Sequence, residues 1–434
     1  MRDIKVKLFE EKVFKDPIHQ YIYVQEKIIW DLINAKEFQR LRRIRQLGTS
    51  FLTFHGAEHS RFSHSLGVYE ITRKVIAQFE RNEYDEWPKE ERLVALIAAL
   101  LHDIGHAPFS HSMERVFQSH HEDWTKSIIL GDTEINQLLT DFDRQLPMRI
   151  VDVINKTYEK HIVVDLISSQ LDADRMDYLL RDAYFTGVNY GTFDLERILR
   201  VIRPYNGKIV IKDSGMHAVE DYLMSRYQMY WQIYFHPVTR SGEIILRKIF
   251  LRAKELYQEG YSFSFLFSPI EKLMQQDIGV ADYISLDEPL VYAQFHLWSK
   301  ENDSILVDLT KRFLHRKLFK YIEIDSADFH KIDLIKQFFS RHQVDPEYYL
   351  EIDSPSNLPY DTYGNNVESE NSPIYLLNRQ NDVEEISTKS DIISGIMGKR
   401  KTEYKLFFAM DYLKEKNIYN EFCEIVNCNR GESN

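Results

Sequence analysis

Cysteine is nearly missing: Cys423 and Cys428 are the only two in 434 residues. A multiple-disulfide framework and a four-cysteine zinc site within one chain are therefore excluded, and a reducing, cytosolic setting fits. Glycine (16) and proline (12) are sparse, which excludes fibrous and low-complexity architectures. Long apolar runs are missing too. The longest, "LVALIAALL" at 93–101, falls far short of the roughly 20 residues that span a bilayer. The opening "MRDIKVKLFEEK" has no apolar stretch of signal-peptide type. The expectation is a soluble, cytoplasmic protein with no membrane partner. Positive charge is in deficit, at a net −12, so the basic footprint of a nucleic-acid binder is not seen. A local basic pocket for a small anion stays open, because net charge says nothing of local sign.

What is present is core-forming material: 44% hydrophobic residues, with 26 Tyr and 26 Phe. The length suits two or three domains. "KVFKDPIHQYIYV" reads as short strands about an Asp16-Pro17 turn. Apolar residues at Ile28, Ile29, Leu32, Ile33, Phe38, Leu41, Ile44 and Leu47 recur at spacings of three and four and predict two helices joined near Asn34. Residues 63–80 repeat the pattern. "WPKEERLVALIAALLHD" predicts a central helix, apolar nearly all round, that ends near Gly105. Residues 163–187 read as one long helix or two. Residues 200–213 read as a hairpin on Asn206-Gly207. "GMHAVEDYLMSRYQMYWQIYFHPVT" reads as a helix that stops before Pro237. Residues 353–373 are the clear loop.

The greasy helix runs into "LLHDIGHAPFSHS" (100–112), which holds His102, Asp103, His106 and His111. Mixed imidazole and carboxylate ligands suit Fe, Mn, Zn or Co. Two ligands are too few, so others must come from "EHSRFSHSLG" and "QLDADRMDYLLRD". In the latter, Asp174 and Asp177 share a helix face at i, i+3. Taken singly, each residue has a plainer explanation: a His-Asp pair is usually structural, an acidic run is usually a wet face, and His121 in "SHHED" is usually a surface histidine. His102 and His106 also form a possible i, i+4 zinc pair, which Gly105 and Pro108 weaken.

Together, in order, "HSRFSHSLGV", "HDIGHAPFSH" and "DRMDYLLRD" resemble the HD superfamily of metal-dependent phosphohydrolases. More narrowly they resemble the deoxynucleoside triphosphate triphosphohydrolases, the family of the SAM-and-HD-domain protein and its bacterial tetrameric relatives. The likeness runs from residue 12 to 239. It implies a mostly α fold: an HD-domain helical core with a small β-hairpin, and a C-terminal α+β region. The expected division is an HD domain at 1–260 (core motifs 46–240) and an interface or regulatory region at 261–434. It implies metal ligands at His64, His102, Asp103 and Asp174, and phosphate-facing histidines at His106, His111 and His121. His111 is expected as general acid, with Glu114 one turn on to orient it. Arg61, Arg175 and Arg226 match residues that line the triphosphate, which can bring its own Mg²⁺. Gln46, Tyr178 and Asp182 match the sugar site, Tyr234 the residue that packs where a 2′-hydroxyl would lie, and Leu47 and Tyr230 its surroundings.

The resemblance further implies a homotetramer with a nucleotide effector at Lys12, Val13, Asp16, Gln39, Arg42 and Lys212. The chain departs from the animal member at Asn34, where an aspartate reads guanine. Asparagine keeps the acceptor oxygen and loses the charge. Ser214 and Pro237 also stand in place of basic residues. The implied activity is cleavage of dNTPs at the α-phosphate to deoxynucleoside and triphosphate. Alternatives are another HD-type nucleotide phosphohydrolase or a catalytically dead nucleotide-binding regulator.

Overall fold

The structure, a computed structural model, describes residues 7–354, 356–357, 373–397 and 401–426. Most of the 353–373 loop and Cys428 lie outside the described residues. The chain opens with an antiparallel hairpin, β1 (Lys7–Asp16) and β2 (Gln20–Glu26). Its turn is pinned by Asp16, which accepts the amides of Ile18 and His19. Two helices follow, α1 (Lys27–Asn34) and α2 (Lys36–Arg40), joined beyond Asn34 as the apolar spacing predicts. Among the described residues no helix is long and apolar enough to cross a membrane.

Three helices build the core around the site. The first, α3 (Arg61–Arg81), packs on α4 (Arg92–Leu101). Every α4 residue from Val94 to Leu101 is buried, each large one stabilising by roughly 1.5–3 kcal/mol. The helix stops at Leu101, short of Gly105. The amide of Ile104 bonds the Leu101 carbonyl and that of His106 the Asp103 carbonyl, so His102 and Asp103 sit on a tighter turn just past the helix. Gly105 is there for packing: a Cβ would meet the His121 carbonyl oxygen at 2.2 Å. It lets the turn lie against α6 (His121–Leu130), after α5 (Ser110–Phe117). The 163–187 stretch is two helices, α9 (His161–Ile167) and α10 (Ala173–Thr186), with α7 (Glu134–Phe142) and α8 (Leu146–Ile154) before them. Asp172 caps α10 by accepting the Arg175 amide, and Gly187 ends it at φ 76°.

Helix α3 crosses α10 at Gly67, where a Cβ would lie 1.9 Å from Asp177 Oδ1 and 2.5 Å from Arg181 Nη2. Both side chains are locked in buried ion pairs and cannot yield. Gly67→Ala is therefore expected to destabilise by about 2–3 kcal/mol, overpacking outweighing the better helix propensity of alanine. Urea unfolding checks this.

After α11 (Leu195–Val201) comes the hairpin β3 (Ile202–Tyr205) and β4 (Lys208–Lys212). Asn206 and Gly207 both have positive φ, 50° and 71°, the tight turn that Asn-Gly favours. A C-terminal strand, Tyr375–Leu377, pairs parallel with β4. Helix α12 (Met216–Met229) does not run straight to Pro237. It loosens into a π-helical turn at Tyr230–Tyr234 before α13 (Pro237–Gln258). Such turns are rare and occur often at functional sites.

The buried apolar residues form two clusters. The first joins the N-terminal hairpin, α1, α3, α4 and α10. The second takes in α5, α13 and the C-terminal helices. It is closed by an antiparallel sheet of β5 (Lys320–Ile324), Tyr404–Phe408 and β6 (Leu350–Asp353). The architecture is mostly helical, with small sheets and a C-terminal region of strands and helices, as the sequence implies.

Candidate active site

Asp174 and Asp177, three residues apart on α10, bracket the fully buried His64 ring of α3. His64 Nε2 lies 3.1 Å from Asp174 Oδ1, and Nδ1 lies 2.8 Å from Asp177 Oδ2. Burial opposes charge on His64, yet these two hydrogen bonds outweigh it and push its pKa up to about 10. The post-helix turn brings His102 and Asp103 alongside. His102 Nδ1 faces the Ala99 carbonyl at 2.9 Å. A carbonyl only accepts, so Nδ1 carries a hydrogen and Nε2 is the atom turned toward the site. That Nε2 is buried and finds no hydrogen-bond partner among the described residues. It lies 3.4 Å from Asp103 Oδ1 and 3.6 Å from Asp174 Oδ1. Ligand atoms of His64, His102 and Asp103 all fall within 4.8 Å of one another. An orphaned imidazole nitrogen among carboxylates fits a hard or borderline divalent ion.

Arg61 Nη1 donates to Asp103 Oδ2 at 2.6 Å, and Asp103 is held well below the usual carboxylate range despite burial, by His102, His106 and Arg61. Asp103 Oδ1 also lies 3.2 Å from His106 Nε2, linking a second cluster of His106, Glu114 and His121. The His106 and His121 rings stack at 3.9 Å, and Glu114 Oε1 accepts from His121 Nδ1 at 3.2 Å. Burial and the Arg61 charge press His106 down to about 3. His121 is also desolvated, but Glu114 and Asp103 raise it. Two stacked imidazoles are thus driven apart in acidity by their different neighbours. The side chain of His111 lies outside the described residues.

These groups open on a cavity of about 430 Å³. Asp103, Asp174, Arg61, His106 and His121 line it, as do Gln46, Leu47, Tyr178, Asp182, Tyr230 and Tyr234. Tyr178 spans the two groups: its ring centre is 6.5 Å from that of His64 and 6.2 Å from that of Tyr234. Tyr234 donates its hydroxyl to Asp182 Oδ2 at 2.8 Å. Buried guanidinium atoms also find no hydrogen-bond partner among the described residues: Arg61 Nε on the cavity, and Nε and Nη1 of Arg226, which does not itself line it. Arg226 stands 5.8 Å from the centre of the Tyr230 ring. Gln46 Oε1 is likewise buried and unpaired. Arg175 turns back onto Asp172 and the Ser169 carbonyl and does not line the cavity either.

The expected effector residues lie elsewhere. Lys12 and Val13 are on β1, Asn34 ends α1 and donates to the Trp30 carbonyl, and Lys212 ends β4. Gln39 donates to the Ile33 carbonyl and accepts from Arg42. Asp16 is buried, its carboxylate taken by Arg181 and the turn amides. Sequence reasoning passed over several site neighbours. His59 holds Asp182 Oδ1 at 2.7 Å, and its only signal was the histidine density of "EHSRFSH". Arg45, Arg240 and Glu243 also line the cavity, and no local pattern marks them.

Residues 61–182 match the family model of the HD domain, and residues 193–264 that of the HD associated region. A solved phosphohydrolase of Bacteroides thetaiotaomicron VPI-5482 superposes with a TM-score of 0.80 at 27% identity, covering 92% of this chain and all of that one. Fold, cluster and match together define an HD-domain phosphohydrolase, a class that holds divalent metal through His and Asp side chains. Within it, the chain belongs to the family of the uncharacterized protein YwfO of Bacillus subtilis (strain 168), with 55% identity over 412 residues and 94% of each chain covered. It is also similar to the deoxynucleoside triphosphate triphosphohydrolase SAMHD1 homolog of Dictyostelium discoideum, 28% identical over 258 residues. That match takes in 56% of this chain and 50% of the relative, so the chain spans about half of that relative's length.

Proposed function

We propose that this phosphohydrolase is a dNTP triphosphohydrolase, cleaving at the α-phosphate to release deoxynucleoside and intact triphosphate. The observation that carries the reading is an unpartnered buried arginine donor, Arg61 Nε, on the same cavity as a tyrosine-aspartate sugar site, with Arg226 next to it at 5.8 Å from the Tyr230 ring centre. Arg61 Nε and Arg226 Nε and Nη1 have no acceptor among the described residues, and a buried cationic donor without one is costly unless a ligand supplies it. A polyphosphate does so. Beside them, Tyr178, Tyr234 and Asp182 offer a phenol–carboxylate edge suited to a sugar hydroxyl.

A divalent transition metal (Fe, Mn, Zn or Co) held by His64, His102, Asp103 and Asp174 would polarise the phosphoryl oxygens and acidify a water. Arg61 and Arg226 neutralise the phosphates, and Mg²⁺ accompanies the nucleotide. His106 and His121, the latter held by Glu114, would stabilise charge on the α-phosphate. Water adds at the α-phosphorus, releasing its proton to solvent, and the bond to O5′ breaks. The electron pair stays on O5′, which takes a proton from His111 in the role its motif position implies. Arg175 would have to leave Asp172 to reach the triphosphate.

Regulation and assembly belong to the same reading: a homotetramer with a nucleotide effector at Lys12, Val13, Asn34, Gln39, Arg42 and Lys212, Asp16 of the implied set being engaged by Arg181. In support, Phe9, Val13 and Tyr21 are exposed on the N-terminal hairpin, an apolar surface that a second copy would cover. The test is to incubate metal-loaded protein with each dNTP, singly and in pairs, with and without GTP, and to separate products by ion-pair chromatography. The expected products are deoxynucleoside and triphosphate, with activity in mixtures exceeding that with single nucleotides. Monophosphate or diphosphate products would leave an HD phosphohydrolase of another specificity, and no product would favour the regulatory binder.

A further inference from the structure

Behind His64 lies a closed chain of charges. Asp177 is fully buried and accepts four hydrogen bonds: from His19 Nε2 at 2.6 Å, Arg181 Nε at 2.8 Å, Arg181 Nη2 at 2.9 Å and His64 Nδ1 at 2.8 Å. These fill the four lone-pair sites of a carboxylate, so its orientation is set from every side. Arg181, also fully buried, passes Nη1 to Asp16 Oδ2 at 2.8 Å. Asp16 in turn accepts the amides of Ile18 and His19 in the β1–β2 turn. The chain thus joins three segments distant in sequence: the N-terminal hairpin, α3 and α10. Gly67 leaves the space that lets Asp177 close onto α3.

A carboxylate only accepts, so the His64 nitrogen facing Asp177 must carry the hydrogen. The other nitrogen, Nε2, faces Asp174 at 3.1 Å and Asp103 at 3.8 Å, and on this side a metal between the carboxylates can replace its hydrogen. We propose that Asp177, oriented by His19 and by Arg181 with Asp16 behind it, is the positioning residue that makes His64 an Nε2 ligand. The N-terminal hairpin is then a working part of the metal site. This rests on the reading of His64, His102, Asp103 and Asp174 as metal ligands. Outer-shell carboxylates of this kind orient a ligating imidazole and strengthen it, and their loss weakens metal binding by about 10–100-fold.

The test uses the full chain stripped of metal and titrated with Mn²⁺, free ion being followed by EPR. Asp177→Asn is expected to raise the Kd about 10–100-fold. His19→Ala is expected to raise it about tenfold, toward the lower end of that range. His19→Gln, whose amide can donate from nearly the same place, should stay within about threefold of wild type. In Zn²⁺-loaded, ¹⁵N-histidine-labelled protein, long-range ¹H–¹⁵N correlations should show His64 protonated at Nδ1 and metallated at Nε2. Wild-type affinity in a folded Asp177→Asn variant, or metal on His64 Nδ1, overturns the proposal and leaves the metal site standing. If Asp177→Asn does not fold, the His19 pair decides: wild-type affinity in His19→Ala, or equal loss in His19→Ala and His19→Gln, overturns it. A wild-type chain that binds no Mn²⁺ or Zn²⁺ removes the metal-site reading and this proposal with it.

Discussion

Replacing Asp174 with alanine is expected to strip the transition metal and abolish turnover, by about a thousandfold or more, while the helical fold survives. The two halves of this expectation have separate causes. Asp174 Oδ1 lies between the two imidazoles, 3.1 Å from His64 Nε2 and 3.6 Å from His102 Nε2. Its side chain is 31% exposed, the partial opening a ligand needs toward the cavity. Metal activation supplies several kcal/mol of transition-state stabilisation, and each 1.36 kcal/mol is tenfold in rate. The fold does not depend on this residue, because the start of α10 is capped by Asp172, which accepts the Arg175 amide. Asp172→Ala should show the opposite pattern, losing roughly 1 kcal/mol of helix stability through the cap. Metal per chain by mass spectrometry, circular dichroism at 222 nm and product formation separate the outcomes. Full turnover with one metal per chain in Asp174→Ala would show that the metal lies elsewhere.

How much of this was legible in the sequence differs by type of interaction. Local rules reached the Asn206-Gly207 turn, the buried helix at 93–101 and the break near Asn34, because each is written within a few neighbouring residues. The i, i+3 spacing of Asp174 and Asp177 was visible, but its consequence was not. Two carboxylates on one helix face become two different groups, one half-open to the cavity and one fully buried, only because His64 from α3 enters between them. Gly105 was read as a helix stop, and its actual demand comes from α6, sixteen or more residues away. The proposed ligand set, phosphate histidines and sugar residues come from family motifs, since no periodicity predicts that Arg61, His121 and Tyr234 share one cavity. Arg175 shows the limit of motif transfer: its position matches the family, and its guanidinium is engaged by the residue that caps its own helix. The π turn at Tyr230–Tyr234 has no sequence signature at all, yet it places two cavity tyrosines.

Those tyrosines carry the other large effect. If Tyr234 excludes the 2′-hydroxyl, Tyr234→Ala should raise kcat/KM for ribonucleoside triphosphates until the dNTP preference falls by about a hundredfold. An added hydroxyl is rejected by a clash, and a clash discriminates only as well as the wall resists displacement. This wall is braced from three directions. The Tyr230 ring meets it edge-on at 5.1 Å and the Tyr178 ring at 6.2 Å. Its hydroxyl is tied to Asp182 Oδ2 at 2.8 Å, and Asp182 is itself held by His59. Tyr234→Phe separates the two functions of the side chain. The ring remains, so ribonucleotides should still be excluded. Asp182 loses a donor, so KM for dNTPs should rise by a few-fold, in line with about 1 kcal/mol for one hydrogen bond. Steady-state kinetics with paired dNTP and NTP substrates reads both. Unchanged preference in Tyr234→Ala would mean that the sugar is selected through the Asp182–His59 pair, and relaxed preference in Tyr234→Phe would mean that the hydroxyl rather than the ring sets the gate.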